Sequence, residues 1–275
     1  MKFFEKKSRP LWTFPKKGSE GGKKIWRLLA GNEILVTEMR DIDKKTAEFV
    51  GIDIRSGLLL WKNDQIEEKW WVTLNLIYRD VVLLQQFSRP DMPTSGRIFA
   101  LDLRTGELLW KNYEVSFANA AGDTIYCVKK SYSSETTIGL DFRSGIVREV
   151  SQEETVDGNF VSSEDLKFPE PFEDALENLD EQILQKKIPG DAALPMILRS
   201  GRKKVIGFHV PSGKDTEGVT TYDAHLIVAD SAGKIVFEDI TDRKVYMPLA
   251  EFYFSIGEKL IYVRNSEEIV AVQLD

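Results

Sequence analysis

Along most of the chain the apolar residues fall in short runs with the signature of strands rather than helices. Ile98-Phe-Ala-Leu-Asp-Leu103 is almost continuously apolar, as in a strand covered on both faces. Arg104-Thr-Gly106 then supplies a glycine where the backbone turns with positive φ, and Leu108-Leu-Trp110 is the returning strand. Asp102 sits where its carboxylate can accept hydrogen bonds from the free N–H groups of that turn, and Asp53, Arg55 and Gly57 repeat the arrangement. A second kind of hairpin alternates with the first. Trp26 and Gly31, Phe117 and Gly122, and Phe252 and Gly257 each set an aromatic five residues before a turn glycine. Each is followed by an apolar strand: Ile34-Leu-Val36, Ile125-Tyr-Cys127 or Leu260-Ile-Tyr-Val263. Two hairpins in alternation make a unit of four strands.

The unit repeats. Val50-Gly-Ile-Asp-Ile-Arg-Ser-Gly-Leu-Leu-Leu-Trp-Lys-Asn63 returns 49 positions later as Phe99-Ala-Leu-Asp-Leu-Arg-Thr-Gly-Glu-Leu-Leu-Trp-Lys-Asn112, with eight of fourteen residues identical. A third copy, Ile138 to Gly145, keeps the turn but follows it with Arg148-Glu-Val; a fourth, His225 to Phe237, displaces the aspartate to Asp230. The fifth is split. Glu268 to Asp275 matches the strand before the turn, whereas Pro10-Leu-Trp-Thr-Phe14 matches the strand after it, so pairing the two would close a ring and remove exposed sheet edges. Stacked four-stranded units of this period predict an all-β chain, a β-propeller with five blades and six as the alternative. The blades fall at about 23–63, 68–112, 113–150, 193–241, and 251–275 joined to 10–14. Residues 151–192 read as an insertion. Ser151-Gln-Glu-Glu and Phe168-Pro-Glu-Pro-Phe172 suggest an acidic, proline-marked loop. Leu176, Leu179, Ile183 and Leu184 give helical spacing over 173–187, with Lys186-Lys187 and Pro189-Gly190 at its end. Pro211 to Tyr222, rich in glycine and charge, reads as a long mobile hairpin loop.

Composition narrows the classes. The 275 residues, 42% hydrophobic and 29% charged, fit one domain over 1–275 with a layered core and a polar surface. No apolar run approaches the roughly 20 residues of a membrane-spanning helix, and the basic start Met1 to Pro10 lacks an apolar h-region. No membrane association is expected, and a cytoplasmic location follows if Met1 is the natural start. Cys127 stands alone, so no intrachain disulfide can form. A net charge of −7 argues against a nucleic-acid partner, since Lys16-Lys17, Lys23-Lys24 and Arg202-Lys203-Lys204 are short clusters. A monomer is expected.

The segment Ile98-Phe-Ala-Leu-Asp-Leu-Arg-Thr-Gly-Glu-Leu-Leu-Trp110 resembles the repeat of quinoprotein-like β-propellers, which include pyrroloquinoline quinone dehydrogenases and a bacterial outer-membrane assembly lipoprotein. The motif covers two repeats well and a third in part. The resemblance implies a fold and leaves function open. Its dehydrogenases resemble one another in larger rings, a calcium site and, in many, adjacent cysteines near the quinone; this chain departs from them in size and cysteine content, so no quinone or other cofactor is expected. A lipidated export signal like that of the assembly lipoprotein is not expected either.

Candidate chemistry is sparse. Asp53 with Arg55, and Asp102 with Arg104, recur with the turns and read as scaffolding. Trp12, Trp61 and Trp110 recur likewise and read as packing between blades. The doublet Trp70-Trp71 does not recur and is the candidate for stacking a ligand. His209 and His225 flank the 211–222 segment and, with Asp223, form a candidate metal set, weighed against two ordinary sheet histidines. No G-x-S-x-G and no phosphate-cradling glycine loop occurs. The leading expectation is a non-catalytic binding or scaffold module for a protein or small-molecule partner, acting through its central face and the insertion. The rival is a hydrolase of a carbohydrate or other polar substrate in the central channel, drawing on the 44 acidic residues or the histidine pair.

Overall fold

A computed structural model describes residues 9–16, 22–89, 92–131, 134–150, 166–172 and 179–275. The start of the basic segment, Ser151-Gln-Glu-Glu and Leu176 lie outside the described residues. The chain divides into two compact units, one from Gly22 to Glu164 and one made of Met1–Gly21 with Asp165–Asp275. The first described strand, β1 (Trp12–Phe14), belongs to the second of these.

The unit from Gly22 to Glu164 holds three antiparallel sheets, each a meander in chain order. The first is β2 (Lys24–Gly31), β3 (Ile34–Asp41), β4 (Thr46–Asp53) and β5 (Leu59–Lys62). The second is β6 (Val72–Tyr78), β7 (Val81–Arg89), β8 (Met92–Asp102) and β9 (Leu108–Asn112). The third is β10 (Val115–Ala121), β11 (Thr124–Lys130), β12 (Glu135–Asp141) and β13 (Val147–Arg148). The nearly unbroken apolar run of β7 is explained by its two neighbours. Val82 and Leu84 pack with Val36, Phe49 and Trp61 of the first sheet, whereas Val81 and Leu83 pack with Val115, Ile125 and Leu140 of the third.

The tryptophans lock these sheets in register. An added Cβ at Gly106 would lie 2.4 Å from the Trp61 ring, whose Nε1–H donates to Leu103 O at 2.9 Å. Trp110 repeats this one sheet on: it covers Gly145 and donates to Phe142 O at 3.0 Å. The turn glycine thus serves twice, since Gly106 and Gly145 also take φ of 70° and 69°. The packing role read for Trp61 and Trp110 is what the geometry shows.

The other unit holds two sheets of five strands. One runs β15 (Glu170–Pro171), β16 (Ala193–Ser200), β17 (Lys203–Lys214), β18 (Thr220–Ala229) and β19 (Ile235–Val245), with α1 (Leu179–Gln185) between β15 and β16 in the chain. The other is ordered β1, β22 (Glu268–Gln273), β21 (Lys259–Arg264), β20 (Tyr253–Ile256) and β14 (Leu166–Lys167). Trp12, Thr13 and Phe14 pair with Ala271, Val270 and Ile269, so the split repeat is completed as its two halves require. Tyr253 replaces the tryptophan lock here: its hydroxyl donates to Met196 O at 2.8 Å and accepts from Gly207 N at 3.1 Å.

Two expectations need correction. The 151–192 insertion is more than a loop and a helix, because β14 adds to the first strand of one sheet and β15 to the first strand of the next. Leu184 of α1 is fully buried among Phe172, Ile197, Ile206, Phe208 and Ile227, so the helix caps a sheet face. The hairpin over Pro211 to Tyr222 is also laddered for most of its length, with a loop only at its tip. β17 and β18 stay paired through Pro211–Tyr222 and Lys214–Thr220, and Asp215 Oδ1 closes the end by accepting from Glu217 N at 2.9 Å and Val219 N at 2.8 Å. The β-branched run Val219-Thr-Thr221 outweighs the turn-forming residues around it.

Candidate functional site

The recurrent aspartates are turn caps. Asp53 Oδ1 accepts from Ser56 N at 2.7 Å, Asp102 Oδ1 from Arg104 N at 2.9 Å, and Asp141 Oδ1 from Ser144 N at 2.8 Å. The Ser144 backbone and hydroxyl bonds hold the Asp141 carboxyl at about 2. Arg143 reaches from the third sheet to Asp102, 3.0 Å away, and to Asp80. These carboxylates are acceptors already engaged, which suits scaffolding and not proton transfer.

The candidate metal set does not converge. Phe208 pairs with His225, His209 with Ala224 and Val210 with Asp223. Neighbouring residues on a strand point to opposite faces, so His225 and Asp223 share one face and His209 occupies the other. His209 lies edge-on to Phe252, its ring 5.1 Å away, and its Nε2 accepts weakly from Leu249 N at 3.4 Å. Its Nδ1 is buried without a partner. Among the described residues no group of three or more His, Cys, Asp or Glu is placed to hold a metal ion.

The face bearing His225 carries an open cleft of about 700 Å³. Its floor is the His225 imidazole, stacked flat on Phe208 at 5.4 Å and 5°, with Ile227, Ile235 and Ile240. Polar groups rim it, and they largely answer one another. Lys187 donates to Gly233 O at 2.7 Å, Arg243 pairs with Asp223 at 3.2 Å, and Asp239 accepts from Arg264 Nε at 2.9 Å and from the Tyr262 hydroxyl. Burial lowers the His225 pKa against the pull of Asp223, which leaves a neutral ring at pH 7. Lys187, Asp239 and Arg243 had no motif to reveal them; a strand pair and the chain after a helix bring them together.

Trp70 and Trp71 are separated by their roles. The Arg40 guanidinium lies over the Trp70 ring at 5.0 Å and over the Trp26 ring at 5.1 Å. Trp71 is half-buried, and its carbonyl accepts from Phe87 N at 2.9 Å. Arg40 is fixed by Glu38 at 2.5 Å and by Val72 O at 3.2 Å. Glu38 is fully buried and also accepts from Thr73 Oγ1 at 2.9 Å and Leu74 N at 2.8 Å, tying the first sheet to the second. In the sequence Trp26 stands out only as a hairpin marker.

Residues 30–110 match the model of a family described as a domain of unknown function, DUF4905. No curated protein matches the sequence. Solved structures similar to the chain include BamB from Moraxella catarrhalis, at 13% identity over 88% of this chain and 80% of that one, TM-score 0.32. The β-propeller domain of the trilobed protease from Pyrococcus furiosus shows 12% identity over 92% and 71%, TM-score 0.30. A quinohemoprotein alcohol dehydrogenase from Pseudomonas putida HK5 shows 12% identity over 92% of this chain but 43% of its own length, TM-score 0.29. These likenesses say nothing about activity. Sheet by sheet, with its turn caps and tryptophan locks, the chain carries the repeating antiparallel sheets of four or five strands that its sequence predicts.

Proposed function

We propose that the chain is a non-catalytic binding module whose small-molecule ligand lies in the His225 cleft. The observation that carries this reading is the engagement of the cleft's charged rim: Lys187, Asp239 and Arg243 are bonded to backbone or to other side chains, over an apolar floor. Hydrolysis of a glycoside requires two carboxylates facing a common bond, one of them free to give a proton. Glu238 and Asp239 are consecutive on β19, and Asp239 is held by Arg264 and Tyr262. A cleft of this volume suits a drug-sized or smaller ligand. A cytoplasmic setting is part of the proposal; the one thiol, Cys127, is buried and pushed up to about 12, which suits a reducing compartment as well as any other. Among the described residues no helix is long and apolar enough to cross a membrane.

The test is a thermal-shift screen of small polar and aromatic compounds against the wild type and Ile240→Trp, with hydrolysis of model glycosides followed in parallel. A true ligand at about 100 times its Kd stabilises the wild type by about 2.7 kcal/mol. That shift should vanish in the variant, with no product formed. Product released by the wild type and lost in the variant overturns the binding reading, as does a screen without a stabilising compound.

A further inference from the structure

We infer that Trp26, far from the cleft in sequence and in the other unit, is a stacking platform for an acidic saccharide. The argument begins with the bulge. In the β2–β3 ladder Ile25 pairs with Met39 and Arg27 with Glu38, so Trp26 is the extra residue that the ladder does not pair. A bulge re-aims the side chain it carries. The indole here is 56% exposed, uncommon for the largest apolar side chain. It is nonetheless held, because the Arg40 guanidinium covers one face, and that guanidinium is itself fixed by Glu38, Val72 O and Trp70. The ring is covered by Arg40, and more than half of the residue stays open to solvent.

The surroundings select the ligand. A second cation on the ring would meet an indole already polarised by Arg40, so an ammonium ligand is disfavoured. A pyranose presents C–H groups to the ring and keeps its hydroxyls in water, which suits a lone exposed indole. The neighbours in β2 are basic: Lys24 and Arg27, the latter exposed and pinned by one Nη1–H to Leu74 O at 3.1 Å, with the rest of its donor fork available. A guanidinium fork favours a carboxylate, hence a uronic-acid unit. A protein hot spot would instead need a rim of apolar contacts excluding water, and charged residues flank this ring.

The test uses oligogalacturonate as the acidic probe and maltohexaose as the neutral one, titrated into the full chain with intrinsic fluorescence and calorimetry as readouts. Oligogalacturonate should bind, weaken by about tenfold or more in Trp26→Ala, and recover in part in Trp26→Phe. Arg27→Gln should lower affinity for the acidic probe and erase its advantage over maltohexaose. Matching melting curves for wild type and Trp26→Ala guard against misfolding, with Trp26→Phe as the second variant. Failure of oligogalacturonate to bind the wild type, or binding indifferent to Trp26, overturns the inference. So does a protein partner that needs Trp26 when neither saccharide binds. Ile240→Trp should leave saccharide binding unchanged, which keeps this outcome separate from that of the cleft.

Discussion

Single positions carry tasks that can be separated by substitution. Gly106 and Gly122 both have positive φ, at 70° and 56°, but only Gly106 is roofed by a tryptophan; nothing lies within 4 Å of a Cβ at Gly122. Gly122→Ala therefore bears left-handed strain alone, about 1 kcal/mol, whereas Gly106→Ala adds collision with Trp61 and should cost about 2–4 kcal/mol in urea unfolding. The histidines set a pH window. Burial, aided by the charge of His225, lowers the His209 pKa from 6.5, so the unfolded chain takes up the proton first. Stability should be complete above about 6.5 and decline as the pH falls toward the lowered value. Chemical denaturation at a series of pH values would show this slope, and His209→Gln should flatten it. Protonation would also turn Nε2 into a donor and break its bond from Leu249 N. A separate loss is expected below about 4, where Asp53, Asp102 and Asp141 give up their depressed pKa values.

At the scale of elements, the locks dominate. Trp61→Ala removes a ring seated on Gly51 and Gly106 and should cost about 3–5 kcal/mol, whereas Trp61→Phe should cost less by keeping part of the ring and losing the bond to Leu103 O. Leu184→Ala should cost about 2–5 kcal/mol and loosen α1, read out as faster amide exchange over 179–185. What was legible in the sequence follows from the range of the interactions. Asp102, Gly106 and Trp110 act within one hairpin or on the next repeat, so their spacing announced them. β14 and β15 did not, since Leu166-Lys167 and Glu170-Pro171 are two-residue edges whose place is set by the partners they meet. Register divides the candidate metal set: His225 pairs with Phe208 and not with its neighbour His209, and one residue reverses the face. Trp26 and Trp70 come together only when the first two sheets pack, which no local pattern encodes.

For the whole molecule, non-local pairing is the governing fact. All-β chains of this kind fold in milliseconds to seconds, because loop closure precedes the contacts that reward it. Thr13→Pro, on the short strand that pairs with Val270, should raise the unfolding rate in stopped-flow traces and leave refolding nearly unchanged, as for contacts formed after the transition state. The same pairing bears on birth at the ribosome. Phe14 meets Ile269, and at synthesis rates of about 5–20 residues per second the earlier strand waits on the order of 10–50 s for a partner not yet made. During that interval the exposed Trp12-Thr-Phe14 is a short sticky end, open to another nascent chain or a chaperone. The last sheet to be finished is therefore also the point at which crowded translation would first go wrong.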